Sequence, residues 1–103
     1  MAGMAKITVG GREYPCRVTM GAPWRFRNET GREASELDER ILTDVVLWLW
    51  CCVSSACAAD GVEFTLSPLE FADRLLPEEL RMWASSLKAP GGDAGEAGKK
   101  NAG

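Results

Sequence analysis

The chain has no histidine among its 103 residues, which removes the commonest general base and the partner its cysteines would need for a mixed metal site. No Gly-x-Ser-x-Gly elbow surrounds a serine, since Ser54-Ser55 and Ser85-Ser86 fall within helical stretches. Gly10-Gly11 lacks the further glycines and the following helix of a phosphate loop. The apolar run from Val45 to Ala59 is broken by Ser54 and Ser55 and bracketed by Asp44 and Asp60. It falls short of the roughly 20 residues a bilayer demands, and nothing resembles a signal peptide. No internal repeat is present. The expectation is a non-enzymatic cytoplasmic protein with no membrane span and no catalytic, cofactor or metal residues.

Hydrophobic residues make up 46% of the chain and charged residues 26%, which fits one compact domain with a modest core. The net charge of −3 is unevenly spread. Residues 1–32 carry six basic and two acidic side chains, residues 33–79 two and eleven, and residues 80–103 four and two. An overall basic surface for nucleic acid is therefore absent. The four cysteines are Cys16, Cys51, Cys52 and Cys57. Adjacent helical residues diverge by about 100°, and Cys52 and Cys57 by about 140°. The three on one helix thus cannot converge on a metal or bridge one another, and they read as small hydrophobes in a reducing compartment.

What the chain does have is one oily stretch, Ser35 to Ala59. Leu37, Ile41, Val45, Trp48, Cys52, Ala56 and Ala59 recur at helical spacing, with Leu42, Val46, Leu49 and Val53 widening the stripe. On the opposite side Arg40 and Asp44 give way to Leu47, Trp50 and Cys51, so the middle of the helix is apolar almost all round and must be buried on every side. Twenty-five helical residues would span about 37 Å, and a chain this small buries only about 60 to 65% of its unfolded surface. One flank should therefore be covered by another copy or another protein. Trp24, Leu47, Trp50, Cys51 and Ser54 are the candidate interface side chains.

The remaining elements are expected to wrap this helix. Lys6 to Val9 and Arg12 to Met20 alternate around Gly10-Gly11, which reads as a β-hairpin with Tyr14, Cys16, Val18 and Met20 on one face. Pro15 must face an open edge, which would be available for strand addition by a partner. Pro23 and Gly31 bracket a helix of at most two turns, with Trp24 and Phe26 on different sides. Ser35 and Asp38 form a capping-box pattern that opens the central helix, and Asp60-Gly61 closes it. Val62 to Leu66 fits equally a third short strand or an extended connector. Ser67-Pro68-Leu69-Glu70 starts a helix whose buried side is Leu69, Ala72, Leu75 and Leu76. Pro77 starts another, with Leu80, Trp83, Ala84 and Leu87 as its apolar side, and the pair is expected to clasp the long helix. The fold class is α+β, a hairpin on a long central helix with two or three short helices, forming one domain over residues 1–88. Residues 89–103 hold five glycines and no large apolar side chain, the composition of a flexible tail.

The order of elements resembles that of small proteins of phages and prophages, several of which look like tail assembly chaperones. The shared pieces are the turn through Gly10 and Gly11, the Thr19-Met20-Gly21 junction, the helix end from Arg27 to Gly31, the exit Asp60-Gly61-Val62-Glu63-Phe64, and Phe71-Ala72-Asp73. The likeness covers roughly residues 5–88, and its motifs are turn and packing signatures. It implies a protein that binds tape-measure and tail-tube proteins in the host cytoplasm, self-associates, and performs no chemistry. Many genes of that kind also make a longer product by ribosomal slippage, with which Gly98-Lys99-Lys100 is compatible, although ordinary surface lysines are the default explanation for this segment. The rival expectation is a small nucleic-acid-binding regulatory protein using Arg12, Arg17, Arg25, Arg27 and Arg32, although Glu29 and Glu33 weaken their field.

Overall fold

The computed structural model describes residues 6–87, with side chains described to residue 85. The 89–103 tail, and Leu87 as part of an apolar helix side, lie outside these limits. The elements are β1 (Lys6–Val9), β2 (Arg12–Pro15), α1 (Gly21–Thr30), a single 3₁₀ turn (Ala34–Glu36), α2 (Leu42–Asp60), α3 (Pro68–Arg74) and α4 (Pro77–Leu87). An antiparallel two-stranded hairpin and four helices make the fold α+β.

The hairpin pairs Lys6 with Pro15, Ile7 with Tyr14, Thr8 with Glu13 and Val9 with Arg12. Gly10 and Gly11 both have positive φ, 61° and 81°, the two-residue turn whose twist matches that of the flanking strands. Gly10 is constrained twice. Its N–H donates to the Arg74 carbonyl at 3.1 Å, and a Cβ there would lie 3.1 Å from Arg74 Cδ. The turn thereby docks on the end of α3.

Ile7, Val9, Tyr14 and Cys16 enter the core, but the strand stops at Pro15, which has no N–H to continue the ladder. The expected burial of Val18 and Met20 is corrected, as they are 58% and 81% exposed. Arg17 instead grips Asp60 at the end of α2 with two hydrogen bonds, 2.9 and 2.6 Å. Thr19 then accepts the first N–H groups of α1, Gly21 on its hydroxyl at 3.1 Å and Ala22 on its carbonyl at 3.0 Å. The opposite edge of the hairpin, that of β1, is partly occupied, because Glu79 of α4 accepts the Thr8 N–H at 3.3 Å, whereas the Pro15 edge expected for strand addition is that of β2.

Helix α1 has ten residues rather than two turns and ends as expected at Gly31, whose φ is 76°. Phe26 is fully buried and meets Trp48 edge to face at 6.1 Å, while Trp24 on another side is 72% exposed.

The central helix is shorter than its sequence suggests. Ser35 does not cap it, and it runs over the nineteen residues Leu42–Asp60. Asp38 is diverted to Arg40, accepting its backbone N–H at 2.9 Å and its guanidinium at 3.0 Å. Ile41 is the N-cap, without a side-chain cap bond, and Asp44 is the acidic residue of the first turn. Its carboxylate accepts two bonds from Arg32, 3.1 and 2.8 Å, and one from the Asp38 N–H at 3.1 Å. Asp44 is therefore buried, not on the wet side of the helix. An ion pair between residues twelve apart overrides a capping pattern legible three residues apart.

Burial along α2 is lopsided. Leu49, Cys51, Cys52, Val53, Ser55, Ala56 and Cys57 are all enclosed, so the helix is covered on nearly every side from Leu49 to Cys57, while Ala58, Ala59 and Asp60 at its end are exposed. In the first half, Leu42 to Leu47, only Asp44 is buried. Nineteen residues of this composition, with mean hydropathy 1.6, also meet the length and apolarity of a membrane span. A core helix meets the same criterion, and 44% of this one is buried within the fold.

Val62 to Leu66 is an extended connector, not a third strand. Phe64 stacks edge to face with Tyr14 at 5.1 Å and Phe71 at 6.1 Å, and the Leu66 carbonyl accepts the Trp50 indole N–H at 2.9 Å. Ser67 and Glu70 form the expected reciprocal cap of α3. The buried side of α3 is corrected: Phe71 is the residue that reaches the core, while Leu69 and Leu76 are 72% and 62% exposed. Helix α4 packs against β1, which leaves a gap between it and the first half of α2.

Candidate protein-binding surface

That gap is a groove of about 750 Å³. One wall is α2, through Leu42, Thr43, Val46 and Leu47, and the other is α3 and the start of α4, chiefly Leu69, Leu75, Leu76 and Leu80. The walls follow from the preceding geometry. The Gly10–Arg74 bond holds the end of α3 against the hairpin, the Thr8–Glu79 bond holds α4 against β1, and Phe71 turns inward. The leucines on the other side of α3 then have only the start of α2 to face. Arg81 is the one charged residue among those lining the groove. A second depression of about 800 Å³ adjoins it across Leu42, Leu80 and Arg81, lined by Leu37, Glu39, Val45, Trp48 and Trp83 among others. Three of the large exposed hydrophobic residues, Leu42 at 65% together with Leu69 and Leu76, gather on this one surface. Clustered apolar exposure of this kind, rather than single exposed leucines, makes this surface the candidate site.

The five residues expected at an interface do not converge. Leu47 is half-buried and lines the groove. Trp50 is half-buried under the 62–66 connector. Cys51 is corrected outright, being sealed inside the fold with no exposed surface. Ser54 faces α1, where its hydroxyl accepts from Arg25 Nε at 3.1 Å. Trp24 stands out from α1 near Val18 and Met20 in the sequence, away from the groove-lining residues. Sequence reasoning missed Leu42, Leu69 and Leu76. A signal existed: in seven-residue α3, Leu69 and Phe71 lie about 200° apart, so one of them must face away from the core.

The ionisable groups are mostly committed to one another. Arg17 pairs with Asp60, Arg27 with Glu33, Arg32 with Asp44, and Arg12 lies over the Tyr14 ring at 5.2 Å. Arg25 bonds Ser54 and the Gly21 carbonyl. Hydrogen bonds from Arg32 and from the Asp38 N–H hold the Asp44 carboxyl below its usual range, and Arg17 does the same for Asp60. All four cysteines are free and buried. Burial pushes Cys16 up to about 11 and Cys51 up to about 12, and raises Cys52 and Cys57 as well. Among the described residues no group of three or more His, Cys, Asp or Glu side chains is placed to hold a metal ion.

Comparison with protein-family models, curated proteins and solved structures finds no match.

Proposed function

We propose that this chain is a non-enzymatic protein-binding module, working as a phage or prophage tail assembly chaperone that holds tape-measure and tail-tube proteins in the host cytoplasm. The observation that carries the reading is the leucine groove beside the first half of α2, with Leu42, Leu69 and Leu76 more than half exposed. This surface combines concavity, several large apolar side chains and almost no charge, the composition of a patch that waits for a partner. The likeness of the hairpin, central-helix exit and Phe71-Ala72-Asp73 to phage tail chaperones supplies the class of partner. Self-association is part of the proposal, since a second copy is another apolar surface that the groove accepts.

The test is co-expression with a phage tape-measure protein, followed by affinity purification of this chain. Wild type should retain the tape-measure protein, and Leu76→Asp, which sets a charge in the groove at an exposed position, should lose it while keeping its native circular dichroism. Equal retention by the variant would remove the groove from the function. Failure of wild type to retain any tail protein would remove the chaperone reading.

A further inference from the structure

We infer that the groove between α2 and the α3–α4 pair receives one amphipathic helix whose apolar stripe ends in a single carboxylate, and that this carboxylate pairs with Arg81. The inference rests on the protein-binding reading above and specifies the chemistry of the partner.

The form of the partner follows from the walls. Both are helices, with backbone groups engaged in their own turns, and no strand edge lines the groove. An extended peptide would find no backbone ladder to join there, whereas a helix brings its hydrogen bonds satisfied and offers side chains alone. Leu42 stands on one wall and Leu69 and Leu76 on the other, all three 62 to 72% exposed. A third helix presenting apolar residues at i, i+3, i+4 and i+7 touches both walls at once.

The charge of the partner follows from Arg81, the one charged residue lining the groove. Every other arginine among the described residues has a partner within the chain. Arg17, Arg27, Arg32 and Arg40 pair with carboxylates, Arg12 lies over the Tyr14 ring, and Arg25 and Arg74 donate to backbone carbonyls. Arg81 is exposed and forms no ion pair, hydrogen bond or ring contact among the described residues. Its position is central to the surface. Pro77, Leu80 and Arg81 fall at i, i+3 and i+4 of α4, one face of that helix, and Arg81 also borders the adjoining depression together with Leu42 and Leu80. A partner that covers Leu42 and Leu80 therefore lies against the guanidinium. Apolar atoms there would strip water from an unpaired charge, which is costly, whereas a carboxylate would meet it with charge-assisted hydrogen bonds. Acidic side chains are common in residues 33–79, but none lines the groove. The fit is thus one carboxylate set opposite Arg81, not a helix acidic along its flanks.

The probes are three synthetic 18-residue helices of about the same leucine stripe, neutral elsewhere, in which the residue at one end of the stripe is glutamate, glutamine or lysine. Because the rest of the groove is apolar, each can enter either way round, and the variable residue reaches Arg81 in one of the two directions. Titrated into the full-length protein by fluorescence anisotropy, the glutamate peptide should bind about fivefold or more tighter than the glutamine peptide, and the lysine peptide should bind less tightly than either. Arg81→Glu should invert that order, while Lys6→Glu, the same change of charge away from the groove-lining residues, should leave it intact. Leu76→Asp should weaken the uncharged glutamine peptide about tenfold or more, which places the binding in the groove. Equal affinity of the three peptides, or an order that Arg81→Glu does not alter, overturns the inference while leaving the protein-binding reading intact, provided the tape-measure protein is still retained. Binding of neither peptide nor tape-measure protein removes both. A wild-type mass in light scattering of two or more chains that Leu76→Asp reduces to one would assign the groove to a second copy instead. Retention on anionic lipid vesicles without peptide binding would likewise overturn the inference.

Discussion

Replacing Phe71 with alanine and, separately, Leu76 with alanine tests which way α3 faces, and hence whether the groove exists. The sequence pattern puts Leu76 on the buried side of α3, but Phe71 is the residue with no exposed surface, ringed by Phe64 at 6.1 Å and the core, while Leu76 is 62% exposed. Removing a fully buried phenylalanine costs about 3 to 5 kcal/mol. At about 0.05 to 0.15 kcal/mol per residue, a fold of this size has about 4 to 12 kcal/mol to lose, so Phe71→Ala removes between a quarter and all of it. For a urea dependence of about 1 to 1.5 kcal/mol per molar, the unfolding midpoint should fall by at least about 2 M, or the variant should be unfolded without denaturant. Leu76→Ala sits on the surface and should change stability by no more than about 0.5 kcal/mol. The assay is urea unfolding followed by tryptophan fluorescence, since Trp48, Trp50 and Trp83 are all at least half-buried. A Leu76→Ala cost equal to half or more of the Phe71→Ala cost would mean that the leucines are covered within the chain. The groove would then be lost as a feature of the fold.

Two further outcomes follow from the ionisable groups. Asp44 is held below its usual pKa by Arg32 and the Asp38 N–H, so its contribution is complete above the unfolded value of about 3.9 and is lost as pH falls below that through the lower folded value. The stability difference between pH 7 and pH 2.5, read by urea unfolding, should shrink in Asp44→Asn; an unchanged difference would show that the Arg32 pair is not what acid breaks. With Cys16 pushed up to about 11 and Cys51 up to about 12, about one Cys16 thiol in a thousand or fewer is ionised at pH 8. Ellman's reagent should therefore leave the native protein untouched over minutes and titrate all four thiols in denaturant, whereas one thiol reacting within seconds would contradict the enclosure of this cluster.

The parts of the fold set by neighbouring residues were legible in the sequence. Gly10-Gly11 marks the hairpin, Gly31 and Gly61 mark helix ends, and Ser67-Pro68-Glu70 marks a helix start, because each signal and its consequence lie within four residues. The start of α2 was not legible. Ser35 and Asp38 carry a sound local cap pattern, but the helix begins only at Leu42, where Arg32 reaches Asp44 in the first turn. The fate of Val18 and Met20 was hidden for a similar reason, since the alternation continues past Pro15 while the backbone pairing does not. For the candidate site, the apolar surplus on the central helix was visible but its position was not. Cys51 and Ser54 belong to the half of α2 that the hairpin and α1 enclose, and the uncovered half begins at Leu42. Which half is covered depends on where α4 packs, and the Thr8–Glu79 bond that helps hold it spans 71 positions of sequence.

The central claim is that a single chain leaves the leucines along the start of α2 and the outer side of α3 open to solvent. The most direct measurement is the broadening of methyl resonances by a soluble paramagnetic agent, made on methyl-labelled protein at a concentration where light scattering gives one chain. The methyls of Leu42, Leu69 and Leu76 should broaden strongly, and those of Ile7, Leu49 and Val53 should be spared. Protection of Leu42, Leu69 and Leu76 to the level of Leu49 in that isolated chain would contradict the account.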